Sequence, residues 1–400
     1  MSPILGIPDG VTAVPALRRA WRCACGQPVF FRNSQCLACG RALGYEPASG
    51  LLLTIEPADA VGGWRLAVDA TPHVYRRCAN LNTPAACNWL VEPEFADASD
   101  DSDGLCMACR LNRTIPDLNN ADNGRLWGRI EQAKRRLVSQ LVTLGLPVLS
   151  RQRQDPTHGL AFDFLRAPDD GSPVLTGHAA GVITINVMEA DDVERERVRT
   201  ALREPYRTLL GHLRHEVGHY YWDRLVMDTA WHEPFRALFG DERQDYSEAL
   251  NHHYDAGPPA DWPQHFVSAY ASMHPWEDWA ETWAHYLHMI DSLATAESFG
   301  LDADYLDLQR ADFTAADIGE DTPAAADDFL HLLASWLRLT GVLNELSRSL
   351  GQPDFYPFVL PATVAKKLYF IHRVVSSHDL TRNTVISATH AQPGLPASLP

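Results

Sequence analysis

The segment GHLRHEVGHYYWDR at positions 211 to 224 restricts the fold of this chain more than any other, because His215, Glu216 and His219 form a His-Glu-x-x-His pattern. Residues four apart on an α-helix sit one above the other on the same face, so both imidazoles can reach a single zinc ion. Glu216, next to the first histidine, then lies within reach of a metal-activated water and can serve as its general base. Composition alone would produce about 0.03 such matches in a chain of this length, so chance is a poor explanation.

A hydrolytic zinc site needs a third protein ligand, and residues 274 to 290, HPWEDWAETWAHYLHMI, offer candidates. At about 100° per residue, Glu277, Glu281, His285 and His288 fall within roughly 80° of one another, while Trp279, Trp283, Leu287 and Ile290 gather on the other side. One face is wholly polar, and the opposite face is tryptophan-rich and suited to burial. Glu277 is the expected ligand, and Glu281, one turn on, is placed to accept a hydrogen bond from a ligand histidine; the swapped assignment, Glu281 as ligand, is the alternative.

All eight cysteines fall in the first 118 residues, in two sets of four. Cys23, Cys25, Cys36 and Cys39 stand as Cys-Ala-Cys-Gly and Cys-Leu-Ala-Cys-Gly, where the trailing glycine permits the tight turn of a zinc knuckle. Cys78 and Cys87 join Cys106 and Cys109 in a looser set that again ends in Cys-x-x-Cys. Two tetrahedral all-cysteine zinc sites account for every thiol. Each metal would supply folding free energy to a segment with little core of its own.

The run GHLRHEVGHYYWDRL followed by HPWEDWAETWAHYLHM resembles the bacterial family of zinc-binding metallopeptidases that pair an N-terminal zinc-ribbon region with a zincin domain. The helix motif Glu277, Ala280, Glu281 is also similar to the third-ligand helix of lethal-factor-type zincins, where the first Glu binds zinc and the second lies behind it. The resemblance implies Glu277 as the third ligand, in gluzincin-like fashion. It also implies a tyrosine seven residues earlier that stabilises the transition state, which here is Tyr270, although His274 is nearer in sequence and other zincins use a histidine for this task. The strand around Ile183 to Val187 would by the same likeness offer an edge to an extended substrate.

The expected fold class is α+β and mainly α. Two small zinc-ribbon modules at 1–60 and 61–120 are followed by a zincin-like metallopeptidase domain at 121–380 and a flexible tail at 381–400. Within the large domain the pattern predicts an amphipathic helix from Leu126 to Leu144, a strand from Gly181 to Met188, and a long helix from Val193 to Val226 interrupted at Pro205. A loop-rich stretch from Asp228 to Pro275 and two further helices, Ala325 to Leu350 and Ala362 to Ser377, complete it. His212, His252 and His253 read as structural.

The expected function is a zinc-dependent hydrolase that cleaves a peptide or related amide bond, with one catalytic and two structural zinc ions. The alternative is a non-catalytic zinc-ribbon protein that binds a protein or nucleic-acid partner. A formal charge of −17 disfavours generic polyanion binding, and residues 1 to 118, with 10 basic and 12 acidic side chains, carry no basic footprint for nucleic acid. Neither a spanning apolar run nor a secretory signal is legible, and eight thiols suit a reducing compartment, so the expectation is a cytoplasmic protein with a peptide or protein substrate, a possible protein partner at the ribbons and no membrane association.

Overall fold

The computed structural model describes residues 18–389, apart from 59–61, 68–72, 92–103, 169–171, 173, 202–203, 205–206, 307, 309–311 and 321–325. In the cysteine-rich part, short runs of apolar and aromatic residues pair as narrow antiparallel ribbons. β1 (Trp21–Arg22) pairs with β2 (Pro28–Val29), and β3 (Ala42–Glu46), β4 (Leu51–Pro57) and β5 (Trp64–Leu66) form a meander. β6 (Arg76–Arg77) pairs with β7 (Leu90–Val91). The first cysteine set sits on tight turns: Gly26 N donates to Cys23 O at 2.8 Å and Gly40 N to Cys36 O at 2.9 Å, with φ of +87° and +73° at the two glycines.

The two cysteine sets share one apolar core. The Tyr45 ring lies 4.9 Å from Phe31 and 4.7 Å from Trp89, and the Asn88 amide donates to the carbonyls of Phe31 and Asn33 at 2.8 and 2.9 Å. β5, beyond position 60, pairs with β4 before it, so the first sheet runs past the expected module boundary. At Gly44 a Cβ would come within 2.5 Å of Leu90 Cδ2, and this close approach is what lets β3 lie against β7.

The second part opens with β8 (Asn112–Thr114) and α1 (Ala121–Thr143), whose N-terminus is capped by the Asn120 side chain accepting from Asp122 N at 3.0 Å. Its apolar stripe, including Leu126, Ile130, Leu137 and Leu141, is buried as the period requires. Glu131, Lys134 and Arg135 are buried as well: Arg135 donates to Ala85 O of the ribbon region at 2.8 Å, while Lys134 donates to Glu131 at 2.7 Å and to Asn112 of β8 and lies over the rings of Phe162 and Phe164.

β9 (Ala161–Leu165), β10 (Gly177–Ala179) and β11 (Val182–Asn186) join β8 in a mixed sheet of order β10-β11-β9-β8. β8 and β11 each run parallel to β9, while β10 is antiparallel to β11. This corrects one expectation. The strand at 183–187 is no edge, because β11 is paired on both sides and β10 occupies the outer position among the described residues. A two-residue turn with positive φ at Ala180 and Gly181 folds β10 back, and its sequence, Gly-His-Ala, has none of the β-branched character that marks a strand.

The rest is helical: α2 (Asp192–Ala201), α3 (Leu209–Leu225), α4 (His232–Phe239), α5 (Tyr246–Ala256), α6 (Trp262–His265), α7 (Pro275–Ser298), α8 (Ala315–Ile318), α9 (Asp327–Ser349) and α10 (Ala362–Thr389). The long helix expected across 193–226 is two, α2 and α3, with Thr208 Oγ1 capping the second by accepting from Gly211 N at 3.0 Å. α10 extends into the segment expected as a tail, of which 390–400 lies outside the described residues. The chain is thus a mixed α/β protein, about half helical.

α3 and α7 pack at the centre of this part. Gly218 makes their contact close: a Cβ there would lie 3.1 Å from Ala280 Cα and 3.2 Å from Trp283 Cδ1, and Trp279 Nε1 donates to Gly218 O at 2.9 Å. Trp279, Trp283, Leu287 and Ile290 are buried, and so are Glu277 and His285 opposite them. The polar stripe of α7 therefore faces protein, not solvent, and its groups must find partners inside.

Candidate metal centre

α3 presents His215, Glu216 and His219 from one end of the α3–α7 contact, and α7 presents Glu277 across from them. His215 Nε2 lies 2.9 Å from Glu277 Oε2 and His219 Nε2 lies 3.4 Å from Glu277 Oε1, and ligand atoms of the three residues all fall within 4.8 Å of one another. All three are buried. His215 Nδ1 meets Glu281 Oε1 at 2.7 Å, and Glu281 Oε2 accepts from Ser268 Oγ at 2.6 Å. A carboxylate only accepts, so Nδ1 carries the imidazole proton and Nε2 turns a lone pair inward.

The fit to a metal ion can be judged from the polar atoms left over. Glu277 Oε2 and Glu216 Oε2 are buried without a hydrogen-bond partner, since the close approach of His215 lacks hydrogen-bond geometry. Two converging imidazoles and a carboxylate with an unpartnered oxygen make the nitrogen and oxygen donor set that zinc takes. Burial alone would raise the Glu281 pKa, but the hydrogen bond from His215 Nδ1 brings it down to about 2. Glu281 is therefore ionised and keeps the His215 proton on Nδ1.

Tyr270 and His274 part company. His274 caps its own helix, with Nδ1 accepting from Trp276 N at 3.1 Å and Nε2 donating to Gln244 O at 3.2 Å, so both nitrogens are engaged away from the site. Tyr270 lines the cavity of about 210 Å³ that opens on His215, Glu216, His219 and Glu277. Three residues that the sequence reading passed over also line it. Tyr246, at the start of α5, donates to Glu277 Oε1 at 3.0 Å; Trp276 lies 4.0 Å from the His219 ring; and His178 of β10 lies 6.4 Å from it. Trp276 comes with α7 itself, next to Glu277, whereas Tyr246 and His178 have no motif of their own and are brought there only by the folding of α5 and β10 over the α3–α7 pair.

The cysteines gather as two quartets with sulfur atoms within 4.8 Å of one another, Cys23 included despite its one-residue spacing from Cys25. In the first, Cys25 and Cys39 are exposed; in the second all four are buried. Cys109 Sγ lies 3.9 Å from Glu131 Oε2, which places the second quartet against α1.

Residues 123–374 match the family described as "Putative zinc-binding metallo-peptidase", and residues 20–120 match a zinc-ribbon domain. The chain belongs to this zinc-binding metallopeptidase family, with a zinc-ribbon region ahead of the family domain. It is 45% identical over 354 residues to an "Uncharacterized protein" of Mycobacterium bovis, covering 88% of this chain and 93% of that one. Proteins of the same designation in two strains of Mycobacterium tuberculosis match with the same identity and coverage. No solved structure matches the chain. Among the described residues no helix is long and apolar enough to cross a membrane.

Proposed function

We propose that this protein is a zincin-like hydrolase of peptide or related amide bonds, with zinc held by His215, His219 and Glu277. The observation that carries this reading is the convergence of those three buried residues with the unpartnered Oε2 of Glu216 beside them. Bound zinc would lower the pKa of a water towards neutrality and polarise the scissile carbonyl. Glu216 takes a proton from the attacking water and delivers it to the leaving amine. Tyr270, a buried phenol kept protonated by its burial and by the Glu277 carboxylate, donates a hydrogen bond to the oxygen on which negative charge develops. Glu281 and Ser268 hold the His215 ring in register, and Tyr246 does the same for Glu277. Two further zinc ions, one per cysteine quartet, complete the count and serve the fold.

The test is elemental analysis of the purified protein together with cleavage of peptide libraries. Three zinc ions per chain, falling to two in Glu277→Ala, and cleavage that disappears in Glu216→Gln while zinc is retained would support the reading. Two zinc ions in both proteins, with no cleavage and a partner captured through residues 20–120, would overturn it.

A further inference from the structure

Glu216 is held by one oxygen only. Its Oε1 meets His212 Nε2 at 3.1 Å, one turn earlier on α3, and its Oε2 has no partner. The other nitrogen of the same ring, Nδ1, is hydrogen-bonded to Glu189 Oε2 in the 3-10 turn that follows β11. Glu189 is fixed in turn: Thr176 Oγ1 donates to its Oε1 at 2.8 Å, and Arg207 Nη2 lies 3.7 Å from its Oε2. The three side chains form a line, Glu189, His212, Glu216, exposed by only 15%, 18% and 7%.

Donor and acceptor chemistry gives this line a meaning. A carboxylate only accepts, and a neutral imidazole has a single N–H. With a carboxylate oxygen against each ring nitrogen, both contacts are hydrogen bonds only when the line carries one proton more than a neutral ring between two carboxylates. Burying two carboxylates carries a desolvation cost that packing alone would not demand, so the arrangement calls for a purpose. We propose that His212, clamped by Glu189, is a positioning residue for Glu216: it ties down Oε1 so that Oε2 is the oxygen turned to the reacting water. This rests on the hydrolase reading above. The clamp joins the sheet to α3, so the orientation of Glu216 depends on an element outside the metal-binding helices.

Labelling the histidines of the full zinc-loaded chain with 15N gives a readout that needs no catalysis. The imidazole signals removed by His212→Phe are expected to include two N–H protons protected from solvent exchange, of which Glu216→Ala releases one and Glu189→Leu the other. A single protected N–H, or protection unchanged in both variants, overturns the clamp. The consequence for Glu216 is read with acetohydroxamate, a zinc-chelating probe that hydrogen-bonds to a carboxylate beside the metal. With zinc content unchanged, its affinity in His212→Phe is expected to fall about tenfold, towards that of Glu216→Ala, while His212→Gln, which keeps a donor, recovers part of the loss. Affinity equal to wild type in His212→Phe overturns the positioning role, and so does loss of zinc from that variant. Failure of the wild-type protein to bind acetohydroxamate counts against the hydrolase reading instead, and the spectra then still decide the clamp.

Discussion

Arg19 and Asp291 are 272 residues apart, yet Arg19 Nε donates to Asp291 Oδ1 at 2.8 Å in a buried ion pair. The pair ties the start of the ribbon region to α7, the helix that carries Glu277. Asp291 also accepts from Arg136 of α1 at 2.7 Å and from Arg214, the neighbour of His215, at 2.8 Å. One carboxylate thus joins the ribbon region, α1 and both helices of the metal centre.

Removing that carboxylate leaves Arg19 and Arg214 buried without a counter-charge. Asp291→Asn is expected to destabilise the protein by about 3–5 kcal/mol, read as a lowered denaturation midpoint. A shift below about 1 kcal/mol would mean that the pairs contribute no more than surface ones.

The same residue predicts an acid limb. Burial would raise the Asp291 pKa, but Arg19, Arg214 and Arg136 override it and hold the group well below the usual carboxylate range. A depressed folded value means that the stabilisation is fully present above the unfolded pKa of about 3.9 and is lost as pH falls through the folded one. Between pH 5 and 3 the melting temperature of wild type should drop more steeply than that of Asp291→Asn; parallel curves would contradict this.

The two quartets should differ in reactivity. With Cys25 and Cys39 exposed and the second set wholly buried against α1, a thiol reagent is expected to modify Cys25 and Cys39 under native conditions and the second four only on unfolding. Modification of all eight in one phase would contradict the difference in burial.

Glu281 touches His215 and does not itself meet Glu277 or His219 in the ligand cluster. Glu281→Ala is expected to weaken zinc binding at this centre by about 10–100-fold, against complete loss for Glu277→Ala. Competition with a chromogenic chelator would measure both, and the reverse ranking would assign the ligand to Glu281.

Gly218→Ala pits two local effects against each other. Helix propensity favours alanine by about 1 kcal/mol. The new Cβ would press on Ala280 Cα at 3.1 Å and on the buried Trp283, neither of which has room to yield, at a cost of about 1–3 kcal/mol. Net destabilisation in chemical denaturation is the expected result, and a more stable variant would mean that the two helices separate easily.

The sequence by itself determined the features that local periodicity sets: His215 and His219 share a helical face, Glu277 and Glu281 share another, Trp279 and Trp283 turn the opposite way, and the cysteines come in two fours. These are consequences of 3.6 residues per turn and of short-range spacing, which any helix or knuckle reproduces. It was the tertiary structure that turned His274 away to cap α7, set β11 inside its sheet with β10 outside, and buried Arg135 against Ala85 of the ribbon region and Lys134 against β8 and β9. It alone brought Ser268, Tyr246, His178 and Glu189 to the centre from four separate segments of the chain. Such side chains carry no periodic signal, because their neighbours are chosen by the packing of distant segments and not by the residues next to them in the chain.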